Sequence, residues 1–366
     1  MFGGRVLGLG RLYGIRIGVD PSWFILFFLI TSSLADGFAE KYSLWSPMEV
    51  WGAASSASIF FFLSILLHEL GHSITARLLG IEVRSITLFL FGGAAELSSE
   101  PRRPRDEFLI AIAGPGVSGL IGMAALVLWA TGADDTPLKV VSLWLGVTNV
   151  GIAIFNMFPG FPLDGGRVLR AALWHFTGDL DRATQWSGRV GALFGRLMIG
   201  LGIALAIITE EWGFGLFMAL LGWFLTRAAF ATVQQSQIAS RLRTLKAKDA
   251  VVPVSSEVDG WDTLEDILAG PFAEADNQLV IVTENDSKVG VLGAREVGKV
   301  PINKLAYQVA RQLMTPLARL KKIDVRESLL TALRVLDSED VNQLLVESEG
   351  EFFGILTRDQ LKRALS

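Results

Sequence analysis

Leu67-His68-Glu69-Leu70-Gly71-His72 sets two histidines at i and i+4 with a carboxylate beside the first. On a helix these two imidazoles share one face and can reach a single divalent ion, and the intervening Glu points into a neighbouring sector, where a proton acceptor has to stand. The chemistry such a set performs is metal-assisted hydrolysis. A zinc ion with three protein ligands keeps a fourth position for water and brings that water's pKa towards about 7. Two imidazoles leave the set one ligand short, and a chain with no Cys must supply the third from a carboxylate or from the remaining one of its three histidines.

Asp164 is the candidate third ligand. It ends the stretch Asn156-Met157-Phe158-Pro159-Gly160-Phe161-Pro162-Leu163-Asp164, followed by Gly165-Gly166. Pro159 and Pro162 break a helix there, and the glycines free the backbone to turn, so the carboxylate can point back at the ion. His175 competes for the same role from Leu173-Trp174-His175-Phe176, but a lone His among aromatics is more often packed or interfacial. Glu69 is the candidate general base, taking a proton from water and passing it to the leaving amine. Asn156 either binds the scissile carbonyl or its oxyanion, or serves as a helix-breaking or interhelical amide.

The elements that carry these residues are apolar. Hydrophobic residues make up 51% of the chain and charged ones 19%, against about 25% charge in an ordinary soluble domain. A spanning helix needs about 20 mostly apolar residues, and six segments approach that: Pro21 to Leu34, Val50 to Leu79, Phe108 to Thr131, Leu138 to Phe158, Val190 to Thr209 and Phe214 to Val233. The His-Glu-His motif lies inside the second, and ionisable groups within a span are expensive and usually functional. Basic residues alternate with the spans. Arg5, Arg11 and Arg16 precede the first, Arg84, Arg102, Arg103 and Arg105 follow the second, Arg167, Arg170 and Arg182 follow the fourth, and Arg227, Arg241 and Arg243 lie at or beyond the sixth, whereas the other loops hold Asp36, Glu40, Asp134, Asp135, Glu210 and Glu211. Six spans with both termini cytoplasmic satisfy the positive-inside rule. The apolar span after the N-terminal arginines has no small-residue cleavage site and reads as retained.

Between the second and third spans, Ile81 to Phe91 reads as a strand, Gly92-Gly93 as a turn and Ala94 to Leu97 as the return strand. Such a hairpin survives at membrane depth only when protein covers it or it lines a wet cavity. Gly114, Ser118 and Gly122, like Gly188, Gly191, Ala192 and Gly195, recur at helix-packing spacing and read as bundle contacts without chemistry. Hydropathy falls near Arg241. From Leu245 two similar units follow, with strand-like runs Gln278 to Thr283 then Gly290 to Leu292, and Asn342 to Glu347 then Gly354 to Leu356; helical patterns at Asp262 to Leu268, Glu327 to Leu336 and Arg358 to Leu365 flank them. This is an α/β tandem repeat. The expected organisation is a polytopic α-helical membrane bundle over residues 1–240, with about six transmembrane helices and a membrane-associated β-hairpin, followed by a soluble α/β tandem domain over 245–366. A net charge of −4 without a basic patch excludes nucleic acid as a partner.

Taken together, Gly14-Ile15-Arg16-Ile17 with Pro21-Ser22-Trp23, His68-Glu69 and His72, Gly92-Gly93, Ala113-Gly114-Pro115 and the Asn156 to Gly166 stretch resemble the site-2 protease family of intramembrane metalloproteases. The resemblance covers nearly the whole membrane part. It implies that His68, His72 and Asp164 bind one Zn2+, that Glu69 activates water, that Asn156 assists at the substrate carbonyl, and that the hairpin presents an unwound substrate strand. It also implies a prokaryotic cell-membrane protein acting in regulated intramembrane proteolysis on a single-span substrate already trimmed by another protease.

The C-terminal part resembles a pair of CBS repeats, modules that often bind adenosine nucleotides, through Gly354-Ile355-Leu356-Thr357. Thr357 and Asp359 are the candidate nucleotide contacts. Gln360 stands where the ribose-binding Asp is expected, Gly293 replaces the usual Ser or Thr of the first repeat, and Asp359 is also where a helix start favours an acid. Sensing a ligand, forming a homo-oligomer and limiting access to the membrane part are the roles open to these repeats. A reading from another class is a transporter or metal-permeation protein gated by the repeats, since broken helices suit it too. Glu69 discriminates: a permeation path needs no base between two ligands.

Overall fold

The computed structural model describes residues 6–89, 92–134, 136–251, 256–274, 279–339 and 341–364. Arg5, Leu90, Phe91, Asp135, Gln278 and Leu365, on which parts of the readings above fall, lie outside the described residues. The chain divides into two compact units, Met1–Gln234 and Gln235–Ser366.

The first unit opens with two strands, β1 (Leu7–Leu12) and β2 (Ile15–Val19), joined by Tyr13-Gly14. Both turn residues have positive φ, 49° and 75°, which matches the twist of a two-residue hairpin. The Asp20 carboxylate then accepts the Ser22 amide at 2.9 Å, and the Ser22 hydroxyl and amide hold this carboxyl below its usual range. Helix α1 (Ser22–Lys41) follows, then α2 (Pro47–Leu78), whose start carries a capping box: Ser46 Oγ accepts the Glu49 amide and Glu49 Oε2 accepts the Ser46 amide at 2.8 Å.

Strands β3 (Val83–Phe89) and β4 (Gly92–Leu97) complete a four-stranded sheet in the order β1-β2-β3-β4. β2 runs parallel to β3, and parallel neighbours need a crossover; here the crossover is the α1–α2 pair, so the second helix returns the chain to the side from which the first departs. Ile15, Val83 and Ile86 from the sheet are buried with Leu70 and Ala76 of α2, fastening the sheet to the helix that carries the histidines.

Four further long helices and one shorter one make up the rest: α3 (Pro104–Thr131), α4 (Pro137–Asn156), α5 (Asp164–Thr177), α6 (Leu180–Thr209) and α7 (Trp212–Thr244). Proline opens α2, α3 and α4, where its missing N–H costs nothing. Small residues let α6 and α7 touch. A side chain at Gly195 would strike Gly222 and Thr226, one at Gly202 would strike Gly215, and one at Gly188 would strike Val233, so the two helices run antiparallel. Among the described residues six helices are long and apolar enough to cross a membrane: α1, α2, α3, α4, α6 and α7.

Several boundaries move. Gly92 and Gly93 are not a turn; they pair with Phe89 and Leu88 as the start of β4. The hairpin is not isolated either, because the N-terminal strands extend it into a sheet. The first span does not stop at Leu34 but continues through Asp36 and Glu40 to Lys41, and α6 begins at Leu180 rather than Val190, taking Arg182 and Arg189 into the helix. α7 runs on to Thr244, past the drop in hydropathy. Charged side chains at helix ends reach water without ending the helix.

The second unit contains the same βαββα plan twice. After α8 (Ala247–Ala250), β5 (Glu257–Asp259), α9 (Leu264–Ala269), α10 (Pro271–Glu274), β6 (Leu279–Glu284), β7 (Ser287–Gly293) and α11 (Ala294–Val297) form the first copy. α12 (Ala310–Leu313) and β8 (Thr315–Pro316) lead to the second: β9 (Lys321–Asp324), α13 (Leu329–Ser338), β10 (Gln343–Ser348), β11 (Glu351–Thr357) and α14 (Arg358–Arg363). In each copy the first strand pairs parallel with the second and the second antiparallel with the third. Leu279 and Val291 of one copy pack with Leu345 and Ile355 of the other.

Candidate metal centre

One turn of α2 separates His68 from His72, and both rings are buried, with centroids 4.9 Å apart. Their Nε2 atoms are 3.2 Å apart, and each is 3.2 Å from Oδ2 of Asp164. The opposite edge of each ring is anchored to α3. His72 Nδ1 lies 2.6 Å from the Ile110 carbonyl oxygen, and His68 Nδ1 lies 2.9 Å from Ser118 Oγ. A carbonyl only accepts, so His72 Nδ1 carries the proton and its Nε2, in the neutral ring, is a bare lone pair. That lone pair faces a second imidazole nitrogen and a carboxylate oxygen, an acceptor-rich triangle that a cation closes.

The triangle has the dimensions of a zinc site. Tetrahedral bonds of about 2.0–2.1 Å put neighbouring donors about 3.3 Å apart, and the three separations here are each 3.2 Å. Among the described residues this is the group of His, Asp and Glu side chains placed to hold a metal. The wall opposite is Gly114: any Cβ there would run into Nε2 of both histidines.

Asp164 is brought in by the broken segment. α4 ends at Asn156, the chain turns through Met157–Leu163, and Asp164 is the first residue of α5. Gly165 and Gly166 back directly on the carbonyls of Met157, Phe158 and Gly160, a closeness that a side chain forbids. Glu107, buried at the start of α3, pairs with Arg170 of α5, and Arg167 lies 4.0 Å from the same carboxylate. The helix that carries Asp164 is thus tied to the helix that orients the histidines.

Glu69 lies beside the triangle, within electrostatic reach of His68, His72, Asp164 and Arg167. Its Cγ packs against Gly93 of β4, so the outer strand of the sheet runs past the carboxylate. Asn156 is half-buried at the end of α4 and is not one of the grouped donors. His175 is exposed on α5, its ring 5.3 Å from Phe176. Sequence reasoning missed Ile110, Gly114 and Ser118, and read the last two as packing.

In the second unit, Thr357 caps α14: its Oγ1 accepts the Gln360 amide, and Gln360 Oε1 accepts the Thr357 amide at 2.7 Å. Gln360 therefore closes a capping box, and Thr357 is occupied by it. Asp359 is exposed and pairs with Lys362 one turn on.

The model of the family described as Peptidase family M50 matches residues 56–134 and 117–198. "Putative zinc metalloprotease sll0528" of Synechocystis sp. is 31% identical over 361 residues, covering 98% of this chain and 94% of its own. The chain belongs to peptidase family M50. Membership makes it a zinc metalloprotease, a membrane protein with several spans, rather than a permeation protein. A solved structure, the site-2 protease from Methanocaldococcus jannaschii, is 26% identical to this M50 peptidase and covers 62% of it and 95% of that chain, with a TM-score of 0.42. The CBS domain of a bacterial CNNM/CorC family Mg2+ transporter covers 36% of the chain and 82% of that domain at 19% identity, with a TM-score of 0.31.

Proposed function

We propose that the protein hydrolyses peptide bonds in or beside the transmembrane segments of other membrane proteins, at a zinc ion held by His68, His72 and Asp164, with Glu69 as general base. The observation that carries this reading is the triangle of Nε2, Nε2 and Oδ2 atoms, buried in a membrane-capable helix bundle with a carboxylate beside it. When bound, the ion supplies Lewis acidity, polarising a carbonyl and acidifying water.

The chain's own residues do the rest. The Ile110 carbonyl and the Ser118 hydroxyl hold the Nδ1 edges, so both Nε2 atoms face the ion. Glu69 takes the proton of the attacking water on its carboxylate and delivers it to the leaving nitrogen. Asn156 donates to the substrate carbonyl. Among the described residues β4 has a partner on one side only, and an extended substrate segment adds along its outer edge past Glu69. Strand addition also answers a chemical need, since a helical peptide bond is shielded by its own hydrogen bonds and must be opened first.

The substrate class is a single-span membrane protein reached sideways through lipid. Residues 1–240 are the protease and 245–366 a regulatory module; the arginine-rich loops support cytoplasmic termini, and the membrane is a prokaryotic cell membrane. Nucleotide binding at Thr357 and Asp359 is not part of the proposal, because Thr357 is engaged in the capping box and Asp359 pairs with Lys362.

The test is Glu69→Gln in purified, lipid-reconstituted protein beside wild type, with zinc content and cleavage of co-purifying membrane proteins as readouts. Retained zinc with lost cleavage is expected. Cleavage at the wild-type rate removes Glu69 as the base, and full zinc content in Asp164→Asn removes the ligand set.

A further inference from the structure

Three arginines of α6 and α7 serve no part of this chemistry. Arg189 and Arg196 are two turns apart on one face of α6, and both are exposed. Arg227 is exposed on α7. Each guanidinium lies over an aromatic ring: Arg189 over Trp186 at 5.3 Å, Arg196 over Phe230 at 5.6 Å and Arg227 over Trp223 at 5.8 Å.

The three share one side of the helix pair. Trp223, Arg227 and Phe230 follow i, i+4, i+7 spacing and so occupy one face of α7, and Arg196 reaches across from α6 to that face by covering Phe230. The glycine contacts set their heights. Gly195 lies against Gly222 and Thr226, and Gly188 against Val233 and Ala229, so Arg227 sits at a level between Arg189 and Arg196. These last two are separated by about 10 Å along the axis at 1.5 Å per residue. The patch has the size of a phospholipid headgroup.

Charge and depth identify the occupant. No Asp or Glu occurs in α7 or in α6 beyond Asp181, and none of the three arginines makes an ion pair among the described residues. Leu193, Leu197 and Leu220 beside them are exposed and apolar, as a lipid-facing surface requires. Arg196 stands about 21 Å from Glu210 along α6, and the hydrocarbon core is about 30 Å thick. Its side chain, extended towards the leaflet where α6 begins, ends near the hydrocarbon boundary, with Arg227 and Arg189 nearer still to water. A cationic cluster backed by aromatic rings, near the hydrocarbon boundary and without a carboxylate partner, is complementary to an anionic headgroup.

We propose that Arg189, Arg196 and Arg227 bind the phosphate of an anionic phospholipid on the lipid-facing side of the α6–α7 pair. The site is independent of the reading of the metal centre. Trp186 and Trp223, stacked with two of the arginines, are built-in reporters.

The full chain is reconstituted into phosphatidylcholine vesicles containing either brominated phosphatidylglycerol or brominated phosphatidylcholine, and quenching of tryptophan fluorescence is followed against the brominated fraction. Wild type is expected to show excess quenching by the anionic lipid, and each Arg→Gln change at 189, 196 or 227 to weaken its apparent affinity about fivefold. Arg182→Gln, whose arginine is paired with Asp179, retains the excess. Equal quenching by the two lipids in wild type, or an undiminished excess in the Arg196→Gln and Arg227→Gln proteins, overturns the proposal. So does loss of the excess on adding millimolar inorganic phosphate, which assigns the patch to a free anion.

Discussion

Gly114→Ala is the sharpest probe of the metal centre, because it adds one methyl group and no charge. The new Cβ would stand 2.6 Å from His68 Nε2 and from His72 Cε1, and closer still to His72 Nε2, whereas ordinary contact begins at 3.4 Å. Relief requires a ring or the α3 backbone to move by at least about 0.8 Å, several times the roughly 0.2 Å tolerance of a zinc–ligand distance. α3 cannot simply withdraw, since it also holds both Nδ1 edges. The expected result is a loss of zinc affinity of about 100-fold or more, beyond the 10–100-fold that outer-shell changes cost, together with about 1–3 kcal/mol of overpacking strain. The assay is competition with a chromogenic chelator plus metal content of the purified protein, with thermal unfolding recorded in parallel. Gly116→Ala, on the same helix with open space around it, is the control and should leave zinc affinity unchanged. A Gly114→Ala protein that holds zinc as tightly as wild type refutes the placement of α3 against the two imidazoles.

Removing the hydroxyl that anchors His68, in Ser118→Ala, should weaken zinc binding about 10- to 100-fold while leaving the fold intact, measured by the same chelator competition; unchanged affinity shows that the ring needs no anchor. Glu107→Gln leaves Arg170 without its buried counter-charge, and a loss of about 3–5 kcal/mol is expected, read as a lowered unfolding midpoint. Gly93→Ala places a methyl against Glu69 Cγ, so turnover should fall with zinc content unchanged; a matched fall in both would mean the strand shapes the ligand set instead.

The two histidines that the structure groups with Asp164 were legible because their residue type is rare in a span and their spacing is helical. Asp164 could be singled out since prolines and glycines announce a helix that breaks. The supports were not legible. Ser118 and Gly114 stand at the spacing of ordinary helix contacts, where Gly122, two turns along, does nothing more than admit Val150 and Gly146; only the position of the imidazoles separates one use from the other. The Ile110 oxygen belongs to the backbone and leaves no mark on residue type. β1 and β2 escaped notice because Gly8 and Gly10 dilute the strand signal, and because the alignment of β2 with β3 joins segments separated by two spans. The six apolar helices and the repeated βαββα plan followed from hydropathy and periodicity, and their ends drifted where charged side chains ride on the last turns.

The alignment of β2 with β3 has a consequence for how the molecule is made. Emerging from the ribosome, the β1–β2 pair has no third strand to lie beside until two helices have been threaded through the bilayer and the chain has come back. The sheet is therefore closed late, and with it the wall beside Glu69. A copy inserted only as far as α2 holds Glu69 and both imidazoles yet lacks Asp164 and the strand that runs beside Glu69.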